Sequence, residues 1–270
     1  MVLISVKSRW INEASSRCRK YFNVDSLWII GPRAKGGKHT NIYHGNFAPQ
    51  IPNNMIRRFT DEKDVVLDLF MGSGTTLYEC ENLNRDFIGF DINTEIIDFV
   101  GNSMTDCDSI HFIIHNHDIC DTQGAQDLIK KDLKRYEKKK VDLVIAHPPY
   151  LDIIKFTDKT EDLSNIADID EFKRKFIASM HSGVDLLKAK KHFVLVIGDI
   201  YRNGEVVPLG FYLMDAIKKE FDCKLKGILV KDMVGNRAKI GSEALWRYRA
   251  LRNGNFLFKH EYVFVFRKEK

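Results

Sequence analysis

Between Val65 and Thr76 the chain reads VVLDLFMGSGTT, and this stretch limits the fold more than any other. The short apolar run around Asp68 reads as a buried strand, because it is too short for a helix and ends in an acid and a glycine turn. Gly72 and Gly74 then bend the chain into a helix that opens with Thr75. Glycine allows unusual φ angles and close approach of a ligand to the backbone, and a helix start offers free N–H groups. Taken alone, the pair is either a simple tight turn or a nucleotide-type site. No GxxxxGK[ST] run accompanies it, which disfavours a nucleotide triphosphatase.

The same alternation runs through the chain. Strands are expected at 65–70, 87–91, 111–115, 141–146, 192–198, 224–230 and 256–266, with helices at 53–59, 75–82, 94–103, 126–139, 170–187 and 209–221. Strands alternating with helices predict an α/β fold whose mostly parallel sheet is covered on both faces. The last two of the seven strands have no crossover helix demanded by the pattern and can pair as an antiparallel edge hairpin. Residues 1–40 form an arm: a short helix near 10–22, the apolar Leu27–Ile30, and a Gly-, Pro- and Lys-rich loop over 31–40. The catalytic domain is expected over 41–270, with small inserts near 151–190 and 232–255.

Two acidic residues sit where such a sheet opens. Asp91 ends the second strand, in position to accept hydrogen bonds from two ribose hydroxyls. Asp118 follows the third and either meets an adenine amino group or caps a loop. The fourth strand runs into His147-Pro148-Pro149-Tyr150. Prolines fix φ and donate no backbone hydrogen bond, so the turn is rigid and its carbonyls stay free as acceptors. The Tyr150 ring can stack on a planar base. Such a turn suits an exocyclic amine, whose lone pair is delocalised: acceptors aimed at its hydrogens place the nitrogen and stabilise its growing positive charge.

VVLDLFMGSGTT, RDFIGFDIN (Arg85 to Asn93) and IAHPPY together resemble the DNA amino-methyltransferases that make N4-methylcytosine or N6-methyladenine. The preceding YHGNFAPQIPNNMIRRF (Tyr43 to Phe59) is similar to that family's cofactor-closing segment, and the resemblance covers roughly 41–270. It implies a Rossmann-like methyltransferase fold, S-adenosylmethionine as cofactor, and direct transfer to a base flipped out of double-stranded DNA. By the same resemblance Asp68, Phe70, Gly72, Gly74 and Thr75 hold the methionine part and Asp91 the ribose. Phe47, Pro49 and Gln50 belong to the closing segment. His147, Pro148, Pro149 and Tyr150 grip the target base. Leu69 stands where the family usually has Pro, and His147 where it usually has Asp, Asn or Ser. A neutral His accepts one hydrogen bond through a ring nitrogen and a protonated His none, so activity is expected to fall at acidic pH.

From Lys231 to Lys270 there are ten Lys or Arg against four Asp or Glu, within a chain of net charge +5. This basic end suggests a polyanion-facing surface. The segment 232–255 carries Arg237, Lys239, Arg247 and Arg249 with Trp246 and Tyr248 interleaved, and is read as nucleic-acid contact or as a surface helix packed on the body. Five cysteines without CxxC spacing argue against a disulfide framework or a zinc site and point to a cytoplasmic protein. No apolar run is long enough to cross a membrane. Three readings stay open: a DNA methyltransferase acting alone, as a homodimer or with a restriction-system partner; a tRNA guanine-N2 methyltransferase; and a non-catalytic binding subunit.

Overall fold

A computed structural model describes residues 23–39, 45–233 and 243–270. The expected helix near 10–22, and Arg237 and Lys239, lie outside these residues. The strands are β1 (Leu27–Trp28), β2 (Val65–Asp68), β3 (Asp86–Asp91), β4 (Phe112–Asn116), β5 (Val141–Ala146), β6 (Leu187–Ile197), β7 (Ile200–Arg202), β8 (Glu205–Val207), β9 (Cys223–Asp232) and β10 (His260–Lys268). The helices are α1 (Gln50–Phe59), α2 (Thr75–Leu83), α3 (Thr94–Ser103), α4 (Thr122–Arg135), α5 (Ile169–Val184), α6 (Leu209–Glu220) and α7 (Glu243–Asn253).

Eight strands form one sheet in the order β1-β9-β10-β6-β5-β2-β3-β4. Only β10 runs antiparallel to its neighbours β6 and β9. This corrects the expectation of seven strands with an edge hairpin. β10 lies inside the sheet, and β1 pairs with β9 in parallel through Leu27↔Val230 and Trp28↔Lys231. Residues 27–39 therefore dock on the catalytic body instead of forming a separate arm. β7 and β8 make a small hairpin the sequence did not signal.

Successive side chains of a strand face opposite sides, and both sides are buried here. Val65, Leu67, Phe193, Leu195 and Ile197 pack against α4, α5 and α6 through Ile129, Phe172, Phe176 and Leu213. Val66, Val194 and Val196 face α1, α2 and α3 through Met55, Leu77 and Val100. Each fully buried Phe or Leu contributes roughly 1.5–3 kcal/mol. α5 is a regular crossover helix between β5 and β6, so the irregular part of the expected insert near 151–190 is the segment before α5.

Helix starts follow local chemistry. Asn93 caps α3 by accepting from the Glu95 and Ile96 N–H groups, and Asp168 caps α5 through Glu171. The Asp121 side chain accepts from Gly124 N–H and starts α4 four residues before the expected position.

From β2 the chain builds outward to β3 and β4, and from β5 it builds the other way to β6. β2 and β5 are thus the switch point, where parallel α/β sheets open a crevice at the carboxyl ends of the strands. Their ends are in register at Asp68↔Ile145, and Leu69 N–H continues the pairing to the Ile145 carbonyl. The glycine turn and the His147 turn emerge side by side.

Candidate active site

The glycine turn is braced from behind. Asp68 is fully buried and accepts from Phe70 N–H at 3.0 Å and from the Thr76 hydroxyl at 2.5 Å. Met71 N–H donates to the Phe90 carbonyl and Gly72 N–H to Asp91 Oδ2 at 2.8 Å, folding the turn onto the end of β3. Gly74 caps α2 at φ +83°, where a Cβ would lie 3.1 Å from Tyr78 Cζ and Val100 Cγ1. A side chain there would be both strained and crowded.

A cavity of about 500 Å³ opens over these strand ends. Phe47, Phe70, Gly72, Thr75, Asp91 and Asp118 line one part of it, and His147, Pro148, Pro149 and Tyr150 another. The two predicted pockets are one space. Four predicted residues do not line it. Asp68 and Gly74 shape the turn from behind. Pro49 precedes α1 as its cap, and Gln50 pins the loop above, accepting from Ala34 N–H and donating to the Pro32 carbonyl.

Burial pushes the Asp91 carboxyl up to about 6, against the lowering effect of its hydrogen bonds from Asn93 and Gly72 N–H. Asp118 Oδ1 accepts from Cys120 N–H at 2.8 Å, so Asp118 serves as a loop cap and faces the cavity as well.

At the other end, Pro148 is buried and Leu151 turns the chain at φ +55°. A left-handed conformation costs a residue with a Cβ about 1 kcal/mol or more, and full burial of Leu151 in the core holds it there. Tyr150 packs onto the end of β6, where a Cβ on Gly198 would fall 3.0 Å from its Cε2. Phe47 meets the His147 ring edge-on, with centroids 5.0 Å apart. Burial lowers the His147 imidazole to about 4, with nearby Glu261 raising and Lys231 lowering it. This moves the expected acidic loss at His147 well below neutral pH.

Arg33, Lys231 and Glu261 also line the cavity and were not among the residues the sequence assigned to the site. Arg33 donates to the Phe47 carbonyl at 2.6 Å, and lies 3.4 Å from the Asn46 carbonyl and from Thr75 Oγ1. No carboxylate among the described residues pairs with it, and burial lowers its guanidinium pKa. Its only signal was the basic character of the loop over 31–40. Lys231 and Glu261 pair at 3.0 Å within β9 and β10. Asp199, which follows β6, turns away to accept from Gly210 N–H and the Tyr262 hydroxyl.

Trp246, Arg247 and Arg249 fall on α7, whose side chains from 244 to 249 are exposed. The Arg249 guanidinium lies over the Trp246 ring at 5.3 Å. Trp246 is 39% and Tyr248 60% exposed. His115 clamps α4 to β4 through Asp132 at 2.5 Å.

A doubly covered sheet with a cleft at its switch point, lined by a glycine turn, two acids and a Pro-Pro-Tyr turn, defines a Rossmann-like methyltransferase. The chain matches the DNA methylase family over residues 5–102 and 141–270 and belongs to that family. Type II methyltransferase M.HpaI from Haemophilus parainfluenzae is 34% identical over 76 residues, 28% of this chain and 24% of that protein. Type II methyltransferase M.BglII from Bacillus subtilis is 45% identical over 80 residues, 28% of this chain and 21% of that protein. Such matches span 10% to 37% of the curated relatives' own lengths. Among solved structures, TrmN from Thermus thermophilus shares the fold at a TM-score of 0.50 and 16% identity, over 83% of this chain and 50% of that one. No helix among the described residues is long and apolar enough to cross a membrane.

Proposed function

We propose that the chain transfers a methyl group from S-adenosylmethionine to the exocyclic amino nitrogen of a DNA base, N4 of cytosine or N6 of adenine. The observation that carries this reading is the single cavity joining Gly72 and Asp91 to His147 and Tyr150. Its donor set suits the cofactor. Asp91 supplies an acceptor for ribose hydroxyls, and Asp118 an acceptor for the adenine amino group. Arg33 supplies a positive charge for the methionine carboxylate beside the N-terminus of α2. The Asn46 Nδ2 donor is buried without a partner beside Phe47, and a polar ligand would satisfy it.

When bound, the cofactor supplies an electrophilic methyl on sulfonium. The chain's own part is positioning and electrostatics. Pro148 and Pro149 hold the turn rigid, Tyr150 stacks on the base, and the Pro148 carbonyl and His147 accept from the amine hydrogens. That arrangement aligns the nitrogen and stabilises its developing charge. A base reaches the cavity only after leaving the duplex. Arg247 and Arg249 of α7, with Trp246, are assigned to the flanking phosphates, and Arg237 and Lys239 extend that basic segment in sequence. The partner is double-stranded DNA. A second copy of the chain or a restriction-system protein is the further partner this reading allows.

Incubation with methyl-labelled cofactor and either plasmid DNA or bulk tRNA tests the proposal. Label in DNA, located by base analysis on N4-methylcytosine or N6-methyladenine, is the expected result. Label in tRNA alone would make the chain an RNA guanine-N2 enzyme. Cofactor binding without transfer to either would make it a binding subunit.

A further inference from the structure

Glu261 and Lys231 enter the cavity from β10 and β9, strands that carry neither the glycine turn nor the His147 turn. Their side chains are 8% and 10% exposed, and Lys231 Nζ lies 3.0 Å from Glu261 Oε1. Burying an ion pair carries a desolvation penalty that an apolar pair avoids. The second carboxylate oxygen shows what this pair does. Glu261 Oε2 accepts from the Tyr150 hydroxyl at 3.3 Å. A phenol has one proton to give. Having given it to Glu261, the Tyr150 oxygen offers only lone pairs to His147 Nε2, 3.5 Å away. Contact between them then needs the imidazole proton on Nε2. A neutral imidazole protonated there has a bare Nδ1, and no hydrogen bond to a described residue occupies Nδ1. Phe47, edge-on to the ring, limits its rotation.

We propose that Glu261, acting through Tyr150, holds His147 in the Nε2-protonated tautomer, so that Nδ1 receives the proton the target amine loses. This rests on the methyl-transfer reading above. The step balances as follows. The amine lone pair forms the new bond to the methyl carbon, and the carbon–sulfur bond breaks with its electrons moving to sulfur. The nitrogen gains a positive charge, one of its N–H electron pairs returns to it, and that proton passes to Nδ1. The imidazolium then releases the proton to water. Acceptance is favourable because a positively charged exocyclic amine is a much stronger acid than imidazolium. Lys231 engages Glu261 Oε1 and leaves Oε2 to face the Tyr150 hydroxyl. A carboxylate or amide oxygen at position 147 accepts without a tautomer to set. A histidine there needs this second chain of contacts.

Glu261→Gln gives a directional test. Lys231 still donates to the amide oxygen, so the Gln amide N–H faces Tyr150. Tyr150 must then accept from the amide and donate to His147 Nε2, which moves the imidazole proton to Nδ1. Long-range nitrogen–proton NMR on the full chain with ¹⁵N-histidine reads the tautomer directly, with His147 signals assigned by their loss in His147→Gln. The wild type is expected to show a protonated Nε2 and a bare Nδ1. E261Q is expected to reverse this and to lower kcat about 100-fold, the usual worth of a positioned proton acceptor, at unchanged affinity for S-adenosylhomocysteine. Should E261Q not fold, Tyr150→Phe serves: its His147 pattern moves from the wild-type state toward the mixture of free histidine. A protonated Nδ1 in the wild type, or a pattern unchanged in the variant that folds, overturns the proposal while methyl transfer stands. A wild type with the expected tautomer that methylates no DNA overturns the methyl-transfer reading, and the acceptor role with it.

Discussion

Asp91 Oδ2 accepts the Gly72 backbone N–H at 2.8 Å, so the carboxylate ending β3 and the turn following β2 form one rigid unit. The Asp91 carboxyl, pushed up to about 6 by burial, is an acceptor on both oxygens only above that pH. Protonation removes acceptor capacity that Gly72 and Asn93 draw on and that the proposed ribose contact needs. Affinity for S-adenosylhomocysteine is therefore expected to be constant from pH 7 to 8 and to weaken as pH falls through 6, by up to about tenfold per unit. Calorimetric titration at pH 5, 6 and 7 measures it. A dissociation constant unchanged from 7 to 5 would show that Asp91 does not hold the cofactor.

His147 behaves differently because burial moves it the other way, down to about 4. Above that pH it stays neutral and keeps its acceptor. At saturating cofactor and DNA, kcat is expected to stay flat between pH 6 and 8 and to fall only as pH approaches 4. The acid loss near pH 6 then belongs to the KM for cofactor and not to kcat. An acid limb in kcat centred near 6.5, the value of an exposed histidine, would place the imidazole in solvent.

The glycine turn and the Pro-Pro-Tyr turn were legible because each is local: a short apolar strand followed by residues with special backbone preferences. Asp91 was legible as the acid at the end of the next strand. β1 was not, since two residues of an apolar stretch pair with a strand about 200 positions away. Nor was the place of β10, because insertion between β6 and β9 is decided by packing across the whole sheet. Lys231 and Glu261 sit in alternating strand sequence, where a charge ordinarily marks the solvent side. They keep the inward phase of Leu229 and Val263 on the same strands, and the cavity at this end of the sheet receives them. Arg33 lay in a loop whose composition reads as solvated, and its docking depends on Gln50 and the Phe47 carbonyl.

Gly74 carries a stability prediction. Alanine at this position would hold a left-handed φ of +83° and place its Cβ 3.1 Å from Tyr78 and Val100. Gly74→Ala is expected to destabilise the protein by about 1–3 kcal/mol and to weaken S-adenosylhomocysteine binding by shifting the start of α2. Urea denaturation gives the first number. A midpoint equal to that of the wild type would mean the turn is looser than its packing indicates.

Arg33 separates the two ends of the cofactor. It is assigned to the methionine carboxylate, which 5′-methylthioadenosine lacks. Arg33→Ala is expected to weaken S-adenosylhomocysteine by about 10- to 100-fold, the worth of a charge-assisted hydrogen bond, and methylthioadenosine by less than threefold. Parallel calorimetric titrations decide it. Equal losses for both ligands would assign Arg33 to holding the 46–47 backbone instead.

The helix α7 is where electrostatics can be read by salt. Leu245, Trp246, Tyr248 and Leu251 are 48%, 39%, 60% and 84% exposed on it, with exposed Arg247, Arg249 and Arg252 between them. A helix exposed in this way gains little from packing on its own protein, which is why the proposed function assigns it to a partner. Aromatics between arginines suit a nucleic acid, where guanidinium groups bind phosphate and rings stack or wedge. Each neutralised phosphate steepens the fall of log K with log salt by about 0.9. Replacing Arg247 and Arg249 together by alanine is expected to weaken duplex binding at 50 mM salt and to make the slope shallower by about 1 to 2. Stability is expected to change by less than about 0.5 kcal/mol, as for exposed surface positions. Fluorescence anisotropy on a labelled duplex over a salt series reads both terms. A slope identical to that of the wild type would remove α7 from the DNA interface and assign its apolar surface to a protein.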